Sequence, residues 1–398
     1  MLLAVKPMQK KILIANGGYA EIPLIVSAKN EGFFVYVGGN NETAPGNRFA
    51  DVYCKVDYSD PEALAKLIKT ENIDYICSGC SDYSYKAVSA VCDSLGLPGH
   101  DDQVKVGIIH DKDKFRELVR DLGLPVPKSF MCTKPEDLRN CNDVKYPLMV
   151  KPVDAFGGNG ISLCRNESEL IEAGEDAFST ARNGRVVVEE FLEGTDHGFT
   201  VLIKDRKIVF WFSDNEYHDV QRFAVSAVSY PFDVGNESID CLKEQVEKIS
   251  ERLELKDGLV HVQFKLLNDG TPVIIEICRR SPGDLYIEFV KYVTGFDYPR
   301  AILLAETGQD FEVPGTPLPS DTYCVRQVII CQEEGILNDI RFSAKISKYI
   351  TDEFLYFTKG SHVKSMTKCG VIFLRFDSLD NLNEVMSNVI DEITFDIG

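Results

Sequence analysis

Pro147-Leu148-Met149-Val150-Lys151-Pro152 runs directly into Val153-Asp154-Ala155-Phe156-Gly157-Gly158-Asn159-Gly160 and then Ile161-Ser162-Leu163. An apolar run, a glycine-rich loop and a second apolar run read as strand, turn, strand. No Gly-Lys-Ser/Thr follows and no helix begins, so this is not a loop that opens a helix onto a phosphate. Gly157, Gly158 and Gly160 would let backbone N–H groups converge on one oxyanion without Cβ clashes. Lys151, at the end of the strand, would add a point charge to the same place. Taken alone, the stretch fits a phosphate cradle and a plain hairpin loop equally.

Upstream, Lys11-Ile12-Leu13-Ile14-Ala15 closes on Asn16-Gly17-Gly18, and further apolar runs lie at 33–37 and 73–77. Helical stretches separate them. Asp60-Pro61 supplies an N-cap and first-turn proline ahead of Leu64, Leu67 and Ile68. Strands alternating with helices predict a doubly wound parallel sheet over about the first hundred residues. Asn16 to Glu21 lacks the G-x-G-x-x-G spacing of a dinucleotide fingerprint. Then Phe115, Leu118, Val119 and Leu122 form one helical stripe, ended by Gly123 and Pro125.

Downstream, strands dominate: 186–192, 199–203 and 207–212, followed by a helix with Ile239, Leu242, Val246, Ile249 and Leu253 on one face. Runs 260–266 and 272–277 flank Leu267-Asn268-Asp269-Gly270-Thr271 as a hairpin. A four-residue loop pairs Leu267 with Pro272, Lys265 with Ile274, Gln263 with Glu276 and His261 with Cys278. Gln263 and Glu276 then share a pocket face, leaving Val262, Phe264, Val273 and Ile275 for the core. A tail after Pro314 mixes strands with one helix.

The 398 residues carry 43 Lys plus Arg against 62 Asp plus Glu, a net charge of −19. So acidic a surface repels polyanions, and nucleic acid is excluded as a partner. No run of 18 apolar residues exists for a membrane span. Residues 1–10 hold too few apolar residues for a secretory core, and Met1 and Met8 are both candidate starts. Of the twelve cysteines, only Cys77 and Cys80 stand close together. With no second pair at zinc-like spacing, free thiols in a reducing, cytoplasmic setting are expected.

The glycine loop with Lys151, the apolar strand ending in Glu189-Glu190-Phe191-Leu192-Glu193-Gly194-Thr195-Asp196, and the hairpin follow one another in an order that resembles the ATP-grasp superfamily over about residues 10–310. The resemblance implies an N-terminal α/β domain (1–110), an ATP-grasp domain (111–312, lid about 115–190) and a small C-terminal α+β domain (313–398). It implies that Lys112 and Lys151 contact nucleotide phosphates beneath the glycine-loop lid. Glu189 would accept from the adenine amine, Phe191 and Leu192 would read the ring through their main chain, and Asp196 would take the ribose hydroxyls.

Family members carry two carboxylates and an asparagine for two Mg²⁺ at the hairpin. Glu276 matches the second carboxylate, whereas Gln263 and Cys278 depart from the pattern. A neutral amide is a weaker Mg²⁺ ligand, and a thiol a poor one. Mn²⁺ is a compatible substitute. Arg280 matches the arginine near the transferred phosphoryl group. His218, Arg222, Asp82 and Glu21 are further candidate substrate contacts.

The implied activity is ATP-dependent carboxylate–amine ligation through an acyl phosphate, with small-molecule substrates and a homodimer compatible with the family. Enzymes resembling those of purine biosynthesis or carbamoyl phosphate synthesis are the near alternatives. A nucleotide-binding regulatory protein without turnover is the third, prompted by Gln263 and Cys278.

Overall fold

A computed structural model describes residues 9–141, 144–154, 158–315 and 318–398. Strands β1 (Lys11–Ala15), β2 (Phe34–Gly39), β3 (Val52–Lys55) and β4 (Tyr75–Cys77) form the expected parallel sheet in the order β3-β2-β1-β4. After Lys11 the β1 run is apolar because both faces are covered. Ile12 and Ile14 pack on the side of α1 (Ile22–Asn30), while Leu13 and Ala15 face α2 (Pro61–Glu71) and α3 (Asp82–Leu95). Asp60 caps α2 by accepting from the Glu62 and Ala63 N–H groups at 2.9 and 3.1 Å. Leu64 and Ile68 are buried at the helix's core face, each worth about 1.5–3 kcal/mol.

Helices α4 (Gln103–His110) and α5 (Lys112–Asp121) lead into the lid. Its strands β5 (Ser129–Cys132), β6 (Leu148–Pro152), β7 (Ser162–Cys164) and β8 (Val186–Glu190) make a sheet ordered β5-β8-β6-β7, covered by α6 (Glu167–Thr180) over a small core of its own. The lid is narrower than 115–190. Phe115, Leu118, Val119 and Leu124 pack instead with Phe199, Val201 and Ile203 in the body of the molecule. An amphipathic stripe tells a helix to bury one face but does not say against which sheet.

Then come β9 (Gly194–Lys204), β10 (Lys207–Tyr217), β11 (Ala227–Tyr230), α7 (Asn236–Arg252), β12 (Gly258–Leu267), β13 (Pro272–Cys278), α8 (Tyr286–Thr294), α9 (Tyr298–Glu306), β14 (Tyr323–Cys331), β15 (Gly335–Phe342), β16 (Ile350–Leu355), β17 (Ser361–Val363), β18 (Thr367–Phe376) and β19 (Ile393–Ile397). One sheet runs β13-β12-β9-β10-β11-β14-β18-β16, so three strands beyond residue 313 extend the central sheet rather than standing apart. Along β9, Phe199, Val201 and Ile203 face α5 and α7, while Leu202 faces α8 and α9. The helices thus flank the sheet on both faces.

The hairpin differs from the even ladder predicted for it. Leu266, not Leu267, pairs with Pro272, and Phe264 pairs with Ile274; a bulge at Ile275 then restores Gln263 opposite Glu276 and His261 opposite Cys278. The expected face-sharing of Gln263 and Glu276 therefore stands, with a different register at the turn. Ile274 takes the core position expected for Ile275, which is half-buried.

Among the described residues no helix is long and apolar enough to cross a membrane. All twelve cysteines are free.

Candidate active site

Two adjoining cavities, about 230 and 250 Å³, lie between the lid and the central sheet and share Lys112, Glu216, Gln263 and Glu276 in their walls. The first gathers most of the residues singled out from the sequence: Lys112, Lys151, Glu189, Phe191, Leu192, Asp196, His218 and Arg222, with Gln263 and Glu276 at the shared edge. Lys112 opens α5, 8% exposed, with Nζ 4.0 Å from a Glu276 oxygen. Lys151, next to last in β6, is ion-paired with Glu189 across the lid sheet.

Glu189 is more committed than an isolated acceptor. Its other oxygen accepts from Arg116 Nε at 3.1 Å, and Arg116 Nη2 donates to the Ile275 carbonyl at 2.8 Å. Burial opposes ionisation of Glu189, but Arg116 and Lys151 outweigh it and hold the carboxyl down at about 2. Burial also lowers the Lys151 ammonium. Each carboxylate oxygen keeps an acceptor position beyond these pairings.

The Phe191 N–H is taken by the Pro147 carbonyl at 3.1 Å, which leaves its carbonyl as the main-chain group for a ligand. Asp196 is 2.9 Å from Lys265 Nζ and remains about a third exposed. His218 Nε2 lies 3.9 Å from Asp196, so His218 and Arg222 line the Lys151–Asp196 cavity and not the second one. The 217–226 connection folds back over the lysine end of the sheet instead.

The glycine loop closes on that connection. Gly158 has a φ of +78°, and a Cβ there would stand 2.8 Å from the Phe223 carbonyl oxygen. Gly160 has a φ of +68°. Gly157 lies outside the described residues.

The second cavity is lined by Arg280 and Arg326. Arg280 donates to Asp82 at 3.1 Å and keeps Nε without a partner among the described residues. Asp82 also meets His110 Nδ1 at 2.7 Å. Burial works against the Asp82 charge, yet Arg280 and His110 hold it well below the usual carboxylate range. Asp82 thus reaches the cavity through Arg280 and is absent from its walls. Glu21 is 2% exposed and accepts from the Cys80 N–H at 2.9 Å and Asn16 at 3.2 Å, holding two loops together away from both cavities. As a substrate contact Glu21 is corrected: those loops need its carboxylate.

Three residues escaped the sequence reading. Arg326, on β14, is 3% exposed, donates to the Asp284 carbonyl at 2.8 Å and has Nε unpartnered among the described residues. Glu216, near the end of β10, places both oxygens 2.9 Å from Gln263 Nε2. Arg116, on α5, is the third. For Arg326 the available signal was one charged residue inside a largely apolar strand, whereas Glu216 and Arg116 stand among other charged residues of β10 and α5 and gave none. Burial pushes Glu216 up to about 8, with neighbouring Asp214 adding to it, and pushes Asp214 up to about 7.

The hairpin face suits a hard divalent cation in part. Glu276 and Gln263 pair across the hairpin on one face, and a carboxylate beside an amide whose oxygen can turn toward it is a donor set that fits Mg²⁺. Cys278 does not fit: burial raises its thiol to about 12, and its sulfur is 3.6 Å from the Arg280 carbonyl. His261 Nδ1 is buried and unpartnered, and the ring is kept neutral by burial together with Arg280 and Arg326. Among the described residues no three His, Cys, Asp or Glu side chains cluster as a ready metal cage.

Residues 111–298 match the model of the carbamoyl-phosphate synthase L chain ATP-binding domain. A formate-dependent phosphoribosylglycinamide formyltransferase of Prochlorococcus marinus subsp. pastoris is 28% identical over 284 residues, spanning 70% of this chain and 72% of that one. In shape, an L-amino acid ligase from Bacillus licheniformis superposes with a TM-score of 0.82 at 19% identity, over 99% of this chain and 100% of that one. The biotin carboxylase domain dimer of Hydrogenobacter thermophilus 2-oxoglutarate carboxylase, in complex with MgADP, ADP and bicarbonate, gives 0.79 at 18% identity over 99% and 91%. At such identities the two solved structures speak for the fold.

Proposed function

On the premise that the chain is an ATP-grasp ligase, forming a C–N bond as ATP becomes ADP, we propose that it activates a small carboxylate, an amino acid or similar acid, and joins it to an amine. One observation carries this reading. A cavity with two buried lysines opens, past Glu276, into a second cavity with two arginines, Arg326 buried and Arg280 partly buried, whose Nε atoms are unpartnered among the described residues.

Lys112 and Lys151 hold the phosphates, and the Phe191 carbonyl with Leu192 and Glu189 frames the base. Asp196 accepts from the ribose. Gly158 and Gly160 cover the phosphates. Mg²⁺, or Mn²⁺, held by Glu276 and Gln263 would supply further positive charge against them.

The substrate carboxylate, oriented by Arg280 and Arg326, directs an oxygen at the γ-phosphorus. The new P–O bond forms as the bond to ADP breaks, giving an acyl phosphate. The amine nitrogen then bonds to the acyl carbon, phosphate leaves with the electron pair, and the nitrogen loses a proton. The lysines and Arg280 offset the charge that spreads during transfer, and the closed lid keeps water from the acyl phosphate.

Free thiols throughout support a reducing, cytoplasmic setting, and a homodimer is the assembly we expect in solution. Two other readings have specific support. The matches to a formate-dependent phosphoribosylglycinamide formyltransferase and to the carbamoyl-phosphate synthase L chain ATP-binding domain favour an enzyme like those of purine biosynthesis or carbamoyl phosphate synthesis. The uncharged Gln263 favours a nucleotide-binding protein without turnover.

Phosphate release measured with Mg²⁺ over panels of carboxylates and amines separates them. ADP formation that requires one acid and one amine is the expected result. Tight ATP binding with no productive pair would overturn the ligase reading and leave the regulatory one.

A further inference from the structure

Gln263 does not face its hairpin partner alone. Across the sheet the register runs Glu276–Gln263–Gly198–Asp214. Gly198 leaves a gap in this row: a Cβ there would stand 2.8 Å from both Asp214 oxygens. Two residues along β10 from Asp214, and so on the same face, Glu216 reaches over toward β12 and brings both oxygens to 2.9 Å from Gln263 Nε2.

We propose that Glu216 is the second carboxylate of the divalent-cation site, supplying from β10 the charge that Gln263 lacks. The cavity walls include Glu216, Gln263 and Glu276 together. The Gln263 amide occupies one acceptor position on each Glu216 oxygen and leaves the others for a cation. Turning that amide over exchanges its N–H₂ for its oxygen, frees Glu216 and presents a row of three oxygen donors with two negative charges, as a hard divalent ion requires. An independent feature points to a ligand here. His261, two residues from Gln263 on the same strand and face, is 7% exposed, lines the adjoining cavity and leaves Nδ1 unpartnered among the described residues.

This inference rests on the nucleotide reading above. Mn²⁺ binding is followed by electron paramagnetic resonance, on protein saturated with a nonhydrolysable ATP analogue, for wild type, Glu216→Gln and the exchanged pair Glu216→Gln/Gln263→Glu. The single variant should weaken Mn²⁺ at least tenfold while the analogue binds as before without metal. The exchanged pair should return to within threefold of wild type. Unchanged Mn²⁺ affinity in Glu216→Gln, or a loss that the exchange does not restore, overturns the assignment. So does a single variant that keeps Mn²⁺ and loses only amine affinity. If the single variant does not fold, the exchanged pair decides by the same threefold criterion. Failure of the wild type to bind the analogue would instead overturn the nucleotide reading itself.

Discussion

Lys151, Glu189 and Arg116 form a buried chain of charges whose members depend on one another. Replacing Lys151 by Ala leaves Glu189 its Arg116 partner, so the fold should hold while affinity for a nonhydrolysable ATP analogue drops at least tenfold, about 1.4 kcal/mol. Calorimetric titration measures it, and unchanged affinity would mean the phosphates lie elsewhere. Glu189→Gln is different, because it leaves two buried cations uncompensated and should cost about 3–5 kcal/mol in urea unfolding. The carboxyl sits below its unfolded value, so its contribution is complete above about pH 4.5 and disappears as the pH falls toward 2. The stability gap between wild type and Glu189→Gln should therefore narrow over that range; a constant gap would contradict the pairing. Lys151 could be read from sequence because it ends an apolar strand at a glycine loop. Arg116, Glu216 and Arg326 could not be assigned roles, since the groups they serve lie dozens of residues away.

The hairpin shows what a ladder count captures and what it misses. Alternation places Gln263 and Glu276 on one face, but the bulge at Ile275 exists alongside an acceptor for Arg116 that only the folded chain supplies. Deleting Ile275 removes the bulge while leaving both neighbouring pairings in step. The variant should keep Gln263 opposite Glu276, lose about 1–3 kcal/mol from the stranded Arg116 donor, and bind nucleotide more weakly. Chemical denaturation and titration test this; a deletion as stable as wild type would mean that the Ile275 carbonyl does not anchor Arg116. The lid illustrates the same limit, for the 115–122 stripe was legible as a helix and its partner core was not.

The N-terminal sheet and the central sheet are joined through buried polar groups. Arg279 Nε donates to Asp101 at 2.9 Å with both side chains at most 2% exposed, and Glu306 accepts from Ser78 N–H and Oγ at 2.6 and 2.9 Å. The N-terminal sheet and the central sheet should accordingly melt in one calorimetric transition. Asp101→Asn should lower that transition by about 3–5 kcal/mol of stability without splitting it. Two resolved transitions in the wild type would refute the coupling. Alternating strands and helices made the first sheet readable, yet nothing in the tail announced that its strands continue the central one. That continuity sets a limit on dissection: cutting the chain after residue 312 would strip β14 from β11 and leave a raw, wholly buried strand edge open to solvent. Such an edge templates pairing between copies, so a shortened enzyme should be recovered as aggregate, and a minimal version of this protein has to keep its last eighty-odd residues.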